Sequence, residues 1–430
     1  MKIPGQPSRS EDSPHAPLYR DRSFATYWTA QGVSDLGDRV SELAIPLIAV
    51  TTLHASPTQV GVVTAAVWAP NLMAMLTGAW VDRRPRKRPL LVLSHLVQGL
   101  AVLTLPLAHW YGAITFAQLI VVALVAGAAR TVDQTANATF FVALVRRDQY
   151  VEANSLLSTT RSGSFVVGPA AGGLLIQAVS APVAMLVDAI SFFASAGLIR
   201  RVEVQEPASH DGTSGVGAMR RAADGARYLW AHPYMSASLR CCTTLNFFSY
   251  MVTALLVLYA SRELGLSAGA IGLAFGVGAL GGLAGALLAP RVGRRFGTGP
   301  TIAVGVVLFS APFAFLPLAA GADWAAVFVL AGVEALSGAG VMLLDINLNA
   351  LQTAVTSDDM RSRVSGAFTT VNYGIRPLGA VVGGVAGEFL GIAPTLVVAA
   401  IGGSLSLLWL VRSPIIRART IDELEAVPAS

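Results

Sequence analysis

A stripe of polar and charged residues lies inside the first long apolar segment of the chain. Its members recur at three- and four-residue spacings, which places them on one face of a helix. They are Trp28, Gln31, Asp35, Asp38, Arg39 and Glu42. Arg39 can neutralise one of the three carboxylates, and the others then lie beside like charges, which favours binding of a proton. The stripe has the chemistry of a proton carrier or, alternatively, of a static ion-pair cluster.

Other apolar segments also carry charged residues. A charge within the bilayer costs about 2.5 to 3.5 kcal/mol on insertion scales, so it persists when it is paired, hydrated or functional. Arg161 can pair with Asp133 on a neighbouring helix. In the second half, the charges that we expect to be buried are Arg240, Glu334, Asp345 and Arg376. Asp188 is a weaker candidate that can simply meet a helix interface. The candidate proton and substrate cavity residues are Gln31, Asp35, Asp38, Arg39, Glu42, Arg130, Asp133, Asn137, Arg161, Asn246, Glu334, Asp345 and Arg376.

The composition indicates where these charges lie. Of 430 residues, 54% are hydrophobic and 13% are charged, and the mean hydropathy is +0.60, which is too apolar for a soluble globular protein. Apolar windows of about twenty residues can cross a bilayer as helices. We predict an all-α integral membrane protein with twelve such helices, at residues 25–52, 58–81, 89–110, 114–143, 153–178, 181–200, 236–260, 268–290, 299–320, 324–353, 364–390 and 393–412.

Basic residues concentrate in loops on one predicted side of the membrane. Five of the thirty Lys and Arg residues lie in GAWVDRRPRKR, from Gly78 to Arg88, and alternating the loops leaves only Arg262 on the opposite side. Short loops rich in Lys and Arg are cytoplasmic. We therefore expect a multi-pass protein of the cell membrane, inner or plasma, with both termini in the cytoplasm. The positive charge forms no continuous stripe, so we expect no nucleic-acid partner.

The chain divides into two related halves. The predicted domains are an N-terminal cytoplasmic tail at 1–23, a six-helix bundle at 24–200, a cytoplasmic linker with an amphipathic helix at 201–233, a second six-helix bundle at 234–413 and a C-terminal cytoplasmic tail at 414–430. An offset of 211 residues aligns Gly61 with Gly272, Arg83 with Arg294, Asp148 with Asp359, Gly168 with Gly379, and Gly173 with Gly384. Homologous bundles of this kind form a substrate site between them near the membrane midplane.

The basic loop carries a more specific signal. Its residues Gly78, Asp82, Arg83, Arg86 and Lys87 follow the order of the signature loop of the major facilitator superfamily, which this sequence resembles. The segment VALVRRDQYVEANSL, followed by GPAAGGLLI, is similar to the branch that contains the enterobactin exporter and macrolide efflux proteins. The resemblance implies the major facilitator fold, with twelve transmembrane helices in two homologous six-helix bundles.

The same resemblance implies a gating role for the loop. Gly78 is expected to let its helix pack against a helix of the other half. Asp82 is then expected to latch the cytoplasmic side in the outward-facing state, against a helix N-terminus or against Arg361 or Arg363. Gly293 occupies the position equivalent to Asp82 in the second half, so a matching aspartate latch is absent there.

The run GPAAGG resembles the end of the antiporter motif of exporters in this superfamily. Its residues Gly168, Pro169, Gly172 and Gly173 favour close helix packing that seals the outer half against ion leak. Generic small-residue packing between membrane helices is the alternative interpretation. The motif therefore favours export.

Several other functions lack the residues that they require. The only lysines are Lys2 and Lys87, neither in a Walker A loop, so we expect no nucleotide partner. The G-x-G-x-x-G pattern from Gly276 to Gly281 lies inside an apolar span and indicates helix packing. Cys241 and Cys242 are adjacent in an apolar segment, where neither a disulfide framework nor metal-ligand spacing is available. We expect no enzyme activity, no cofactor and no bound metal.

These features predict a secondary transporter that works by alternating access. Its expected activity is export of an amphiphilic small molecule, drug-like or siderophore-like, with the proton as coupling ion. The proton-site candidates are Asp35, Asp38, Glu42 and Asp133. Cavity arginines would suit an anionic ligand and exposed acids a cation, so the ligand charge stays open. A lipid or lysophospholipid flippase or an uptake carrier of the same fold is the alternative. The expected partners are the substrate and membrane lipid, and we expect a monomer.

Overall fold

Helices make up the regular secondary structure of the described residues. The computed structural model describes residues 17–204, 215–319, 323–357 and 360–419. The first half comprises α1 (Arg22–Leu47), α2 (Pro57–Trp68), α3 (Ala74–Asp82), α4 (Arg88–Trp110), α5 (Phe116–Leu144), α6 (Tyr150–Val179) and α7 (Ala181–Arg201). The connecting helix is α8 (Gly215–Ala231). The second half comprises α9 (Pro233–Arg262), α10 (Ala268–Phe296), α11 (Thr298–Ser310), α12 (Asp323–Val355), α13 (Arg361–Gly374), α14 (Arg376–Leu390), α15 (Ile392–Leu405) and α16 (Leu407–Val411).

These helices form the twelve predicted crossings. Nine helical stretches of the described chain are long and apolar enough to span a membrane, and the bent stretch from α2 to α3 makes ten. Each of the two remaining crossings is either too polar or too interrupted to qualify as one long apolar helix. Helix α1 carries the charged stripe, and the crossing made by α13 and α14 is broken at Ile375 into pieces of 14 and 15 residues. The predicted fold of two six-helix bundles is therefore confirmed.

Helix α1 is positioned by a cap at its start and by packing against neighbouring helices. The Asp21 carboxylate caps the helix by accepting a hydrogen bond from the backbone N–H of Phe24 at 2.8 Å. Phe24 and Tyr27 are each 1% exposed, the Tyr27 ring packs on Phe140 of α5 with centroids 5.8 Å apart, and α1 also lies against α6 and α7. At the other end, Pro46 precedes a π-helical turn over Ile48–Thr52.

The two halves meet closely at the end of the molecule opposite the basic loop, here called the closed end. Helix α2 crosses α14 there, and α6 crosses α10. A Cβ at Gly61 would lie 2.5 Å from the carbonyl oxygen of Ala380 and 2.9 Å from Cα of Gly384. A Cβ at Gly173 would lie 2.8 Å from Cα of Gly272. Only glycine permits backbones to approach this closely.

The two crossings are equivalent under the internal repeat. Gly61 corresponds to Gly272, and Gly173 corresponds to Gly384, both at the offset of 211 residues. One crossing pairs Gly61 with Gly384 and the other pairs Gly173 with Gly272, so a pseudo-twofold rotation exchanges them. The glycines detected by the repeat are therefore contacts between the halves.

At the opposite end, called the basic-loop end, the halves pack less closely, with contacts between α13 and the stretch from Ala69 to Asp82. A Cβ at Gly163 of α6 or at Gly366 of α13 would have no heavy atom within 4 Å. The polar residues Asn154, Ser155 and Ser162 in the first half of α6 are exposed. We infer that the space between the halves, called the central cavity, opens at the basic-loop end.

The predicted amphipathic helix between the halves is observed as α8. Its Leu229 is buried beside Val364 of α13, and the Tyr228 hydroxyl donates to the carbonyl oxygen of Val355 at 2.9 Å. A Cβ at Gly225 would meet the backbone of Arg363. Helix α8 is thus packed against the second half.

Candidate functional site

The charged stripe of α1 forms one wall of the central cavity. Glu42 has a side chain that is 46% exposed, and its Oε2 lies 2.5 Å from Nη1 of Arg39. Its Oε1 lies 3.9 Å from Nη1 of Arg130 on α5. The expected neutralisation of one carboxylate by Arg39 therefore involves Glu42, which bridges two guanidinium groups.

Arg39 is itself enclosed by protein. The residue is 7% exposed, and its guanidinium carbon lies 4.0 Å from the centroid of the Phe165 ring. A Cβ at Gly168 would collide with the aliphatic part of the Arg39 side chain. The first glycine of the antiporter-like motif thus provides the space that this buried cation occupies.

Asp35 and Asp38 lie on the same face of α1 and are partly exposed. Neither makes an ion pair within 4 Å in the described part of the chain. Arg161 is exposed on α6, within electrostatic range of Asp35. The predicted pair between Arg161 and Asp133 is not formed, because Asp133 faces a different residue.

The partner of Asp133 is His95 on α4. The distance from Asp133 Oδ1 to His95 Nε2 is 3.4 Å, and the two side chains are 16% and 3% exposed. The imidazole also packs against the Phe192 ring of α7, with centroids 5.9 Å apart. Asp133 is therefore the member of the acidic cluster with a titratable neighbour buried behind it.

Towards the basic-loop end, the stripe continues as an uncharged hydrogen-bond network. Asn137 Oδ1 accepts from the Tyr27 hydroxyl at 2.7 Å and from Gln31 Nε2 at 3.1 Å. Trp28 Nε1 donates to the Thr160 hydroxyl at 2.7 Å. These contacts tie α1 to α5 and α6, so Gln31 and Asn137 hold the helices that carry the charges.

The second half contributes an arginine surrounded by aromatic rings. The Arg376 guanidinium carbon lies 3.7 Å from the Tyr373 centroid, 4.5 Å from that of Trp68 and 4.9 Å from that of Tyr250. Its Nε donates to Asn246 Oδ1 at 3.0 Å. Trp68 belongs to α2 of the first half, so this cluster, called the Arg376 aromatic cluster, spans the two halves.

Two amides anchor the cluster. Asn246 Nδ2 donates to Asn372 Oδ1 at 3.1 Å and to the backbone carbonyl of Cys242 at 3.0 Å. Glu42 and Arg130 are within electrostatic range of Tyr250. The acidic wall of the first half therefore faces the aromatic wall of the second across the cavity.

The remaining second-half candidates occupy separate places. Asp345 was expected to be buried, but it is exposed and lies within electrostatic range of Arg376. Glu334 is partly buried on α12 and packs on Gly278 of α10. The prediction that Arg240 is buried is wrong, because its guanidinium is exposed between the indoles of Trp230 and Trp409, 5.5 Å from each centroid.

The signature loop lies at the open end. Lys87 is 7% exposed, and its Nζ donates to the carbonyl oxygens of Val81 at 2.7 Å and Arg84 at 2.6 Å, which caps the end of α3. Arg84 stacks on Trp80 at 4.9 Å. Arg83 and Arg86 are exposed.

The gating contacts expected of the loop are not made in this conformation. A Cβ at Gly78 would meet only the Thr135 methyl of the same half, at 4.0 Å. Asp82 is exposed and makes no ion pair within 4 Å in the described part of the chain. The expected latch belongs to the state in which this end is closed, so it stays a prediction.

The antiporter-like motif faces two directions. Gly172 packs on the Val40 backbone of α1, whereas Gly173 meets Gly272 of the other half, and the Pro169 carbonyl also touches Gly272.

Asp188, 0% exposed on α7, accepts hydrogen bonds from Ser41 and Ser191 and thus lies at a helix interface.

The comparisons with known proteins agree with this geometry. The family model for the Major Facilitator Superfamily matches residues 27–380 and 239–428. The chain belongs to the Major Facilitator Superfamily. It is 29% identical over 425 residues to the multidrug efflux pump Tap of Mycobacterium bovis, covering 94% of each protein. It is 25% identical over 392 residues to the uncharacterized MFS-type transporter YfiS of Bacillus subtilis, covering 88% of this chain and 90% of YfiS.

Solved structures show the same fold. The nucleoside transporter NupG superposes with a TM-score of 0.73 at 11% identity, covering 91% of this chain and 99% of NupG. A bacterial homologue of the iron transporter ferroportin, in an inward-facing state, superposes with a TM-score of 0.68 at 18% identity, with 91% and 99% coverage. This chain of the Major Facilitator Superfamily is therefore a multi-pass membrane transporter.

Several residues of the site were absent from the candidate set, among them one histidine and three aromatic residues. His95 is a histidine in the apolar helix α4, and Trp68, Tyr250 and Tyr373 are aromatic residues on three separate helices. Nothing in their local sequence distinguishes them from packing residues. Arg376 could have indicated the aromatic residues, because a guanidinium within the membrane requires partners and the faces of aromatic rings can serve as such partners.

Proposed function

We propose that this transporter exports an amphiphilic small molecule in exchange for protons, by alternating access across the cell membrane. The observation that carries the proposal is the central cavity, which is open at one end and has an acidic wall facing an aromatic wall. The name of the mycobacterial relative, a multidrug efflux pump, supports an amphiphilic substrate.

The orientation follows from the basic loop. Lys and Arg in short loops favour the cytoplasmic side, so the basic-loop end faces the cytoplasm. The conformation is then inward-open, with a cavity that can take a molecule from the cytoplasm or the inner leaflet. The crossings at Gly61 and Gly173 form the barrier towards the outside.

The walls of the cavity suit a ligand with both apolar and polar parts. Aromatic rings around Arg376 offer stacking surface, and partly exposed Asp35, Asp38 and Glu42 offer negative charge. These carboxylates and Asp133 are the proposed proton sites. A proton moving down its gradient supplies about 2.3 kcal/mol per 100 mV, which supports roughly fiftyfold uphill accumulation.

The direct test is substrate-induced proton movement in proteoliposomes. Purified protein would be challenged with a panel of hydrophobic drugs and siderophores while the luminal pH is recorded. We expect a subset to drive proton countermovement, and Asp35→Asn, Asp38→Asn or Asp133→Asn to abolish it. Arg240→Gln, outside the cavity, is the matched control.

Two outcomes would contradict the proposal. Substrate movement without proton flux in the wild-type protein would indicate a facilitator or a lipid carrier. Accumulation in the same direction as the protons would indicate an uptake carrier. Fluorescent lysophospholipid in the same vesicles tests the flippase alternative directly. We propose that the working unit is a monomer, because each crossing that closes the cavity lies within one chain.

A further inference from the structure

A buried histidine lies behind the acidic wall, on the side away from the cavity. His95 is 2% exposed on α4, which packs against both α5 and α7. Its Nε2 is 3.4 Å from Oδ1 of Asp133, and its ring packs against Phe192. Asp133 is 16% exposed, so one side of this carboxyl group reaches the cavity while the other meets the imidazole.

The polar atoms of this pair have no other partner. In the described part of the chain, neither ring nitrogen of His95 nor Oδ1 of Asp133 has a hydrogen-bond partner that meets strict geometry. Buried polar groups in native proteins are almost always hydrogen-bonded, and an ionised carboxylate oxygen without a donor is costly. His95 Nε2 is the polar atom adjacent to that oxygen. A small side-chain rotation would complete the bond.

The protonation of the imidazole follows from its second nitrogen. A doubly protonated ring would bury an Nδ1–H without an acceptor and would add a positive charge in a buried position, and both are costly. The neutral ring with its proton on Nε2 leaves only an unfilled acceptor. In this form, Nε2–H points a donor at Asp133 Oδ1 and adds no net charge.

We propose that His95 is the positioning residue of the proton site at Asp133. Its Nε2–H donates to Oδ1 and stabilises the ionised carboxylate. The transported proton passes from cavity water to the other carboxyl oxygen and returns to water by the same route, while Oδ1 continues to accept from His95. The place of this pair in transport rests on the proposed proton exchange, whereas its control of proton affinity does not.

Other charged groups act on the same carboxyl group. Asp38 and Asp35 on α1 and Arg130 on α5 lie within electrostatic range of Asp133, and Asp38 is also within range of His95. Helix α7 contributes Asp188, whose carboxylate is held by Ser41 and Ser191. These groups are unchanged by substitution of His95, so a shift in that variant reports on the imidazole.

Infrared difference spectroscopy of the full-length protein in lipid, titrated from about pH 4 to about pH 9, tests the proposal. The carboxylic C=O band that disappears in Asp133→Asn belongs to Asp133. We expect His95→Leu to move the midpoint of that band up by about 1 to 2 pH units, because a hydrogen bond to a charged group is lost. His95→Gln, which keeps a donor, should restore a midpoint near that of the wild type.

Matched variants separate this role from packing. His109→Leu makes the same substitution at the far end of α4 and should leave the midpoint unchanged. His95→Phe retains a ring against Phe192 without a donor, and it replaces His95→Leu if that variant does not fold. An unchanged midpoint in both donor-free variants would overturn the proposal, as would the absence of any band that depends on Asp133. No substrate is needed, so this result stands apart from any failure of the transport assay.

Discussion

Gln177 and Glu388 occupy equivalent positions in the two halves, and each binds the start of a helix in the opposite half. Glu388 Oε2 accepts from the Ser56 hydroxyl at 2.8 Å and from the backbone N–H of Thr58 at 3.2 Å, at the N-terminus of α2. Backbone N–H groups at a helix start carry partial positive charge, which favours a carboxylate there.

The second contact repeats the first through the internal symmetry. Gln177 Oε1 accepts from the Ser267 hydroxyl at 3.2 Å and from the backbone N–H of Gly269 at 3.1 Å, at the N-terminus of α10. Ser56 and Ser267 are both helix N-caps and are 211 residues apart. The closed end thus has one clamp with a carboxylate and one with a neutral amide.

Because one clamp uses the Glu388 carboxylate and the other the Gln177 amide, we predict that substitutions at these two residues have unequal effects. Glu388→Ala should favour opening of the closed end, and Glu388→Gln should do so less, because an amide oxygen still accepts both hydrogen bonds. Spin labels at Tyr111 and Trp324, exposed at this end of each half, would report the distance between the halves. Gln177→Ala is the matched variant of the uncharged clamp. An identical distance distribution in all variants would show that neither clamp contributes to closure.

The glycine crossings predict a second effect on closure. Gly61→Ala or Gly173→Ala would bring a Cβ within 3 Å of the opposing backbone. Overpacking of this kind costs about 1 to 3 kcal/mol, which shifts a two-state population by about 5- to 150-fold. The same spin labels should show a longer distance between the halves at the closed end, and transport should fall. Gly163→Ala has room for its methyl group and should behave as the wild type.

The salt bridge between Arg39 and Glu42 predicts that the effects of these two residues on stability are coupled. Glu42→Gln should lower the thermal stability of the purified protein by about 1 to 3 kcal/mol, because buried Arg39 loses a charged partner. Arg39→Gln should cost a similar amount. The double variant should cost less than the sum of the two, as a double-mutant cycle measures. Additive losses would indicate that the short contact contributes nothing to stability.

The Arg376 aromatic cluster predicts that lysine cannot replace arginine. Arg376→Lys retains the charge but loses the planar group that stacks on Tyr373 and Trp68. Each exposed cation–π contact is worth about 0.5 to 1 kcal/mol, so we expect weaker ligand-induced thermal stabilisation by several-fold. Trp68→Phe should have a milder effect. Equal ligand response in Arg376→Lys would exclude stacking as the basis of recognition.

A pH effect outside the membrane spans is predicted at His232. Burial lowers the pKa of this imidazole, which lies between Tyr228 and Tyr234 at centroid distances of 5.5 and 5.8 Å. Because the folded pKa lies below the unfolded value of about 6.5, stability is complete above that pH and is lost as the pH falls below it. Proteolysis at α8 should therefore accelerate on acidification, and His232→Phe should remove that dependence.

Local regularities in the sequence were sufficient for much of the fold. Twelve crossings and the repeat were predictable because apolar windows and a constant offset are properties of the chain itself. The pairing of Arg39 with Glu42 was accessible for the same reason, since the residues are one helical turn apart. The glycines at the closed end were also detected, as members of the repeat, although their contact partners were not.

Contacts between helices were beyond such patterns. Whether Asp133 faces Arg161 or His95 depends on the rotation of α5 about its axis relative to α4 and α6. Many such rotations are compatible with the same apolar segments in the sequence. Arg240 was expected to be buried because the surrounding sequence is apolar. Its guanidinium is instead exposed between the rings of Trp230 and Trp409, and no residue spacing in the sequence predicts those contacts. The charge-bearing positions could be predicted, whereas their partners could not.

The position of Trp68 on the opposite side of the interface from Arg376 has a consequence for release. Under the proposed alternating access, opening of the closed end separates α2 from α14 and pulls the indole away from the guanidinium. A substrate bound between these two side chains would then lose part of its surroundings. The same movement would expose the substrate to the compartment at the closed end, so its release would not require a separate weakening step.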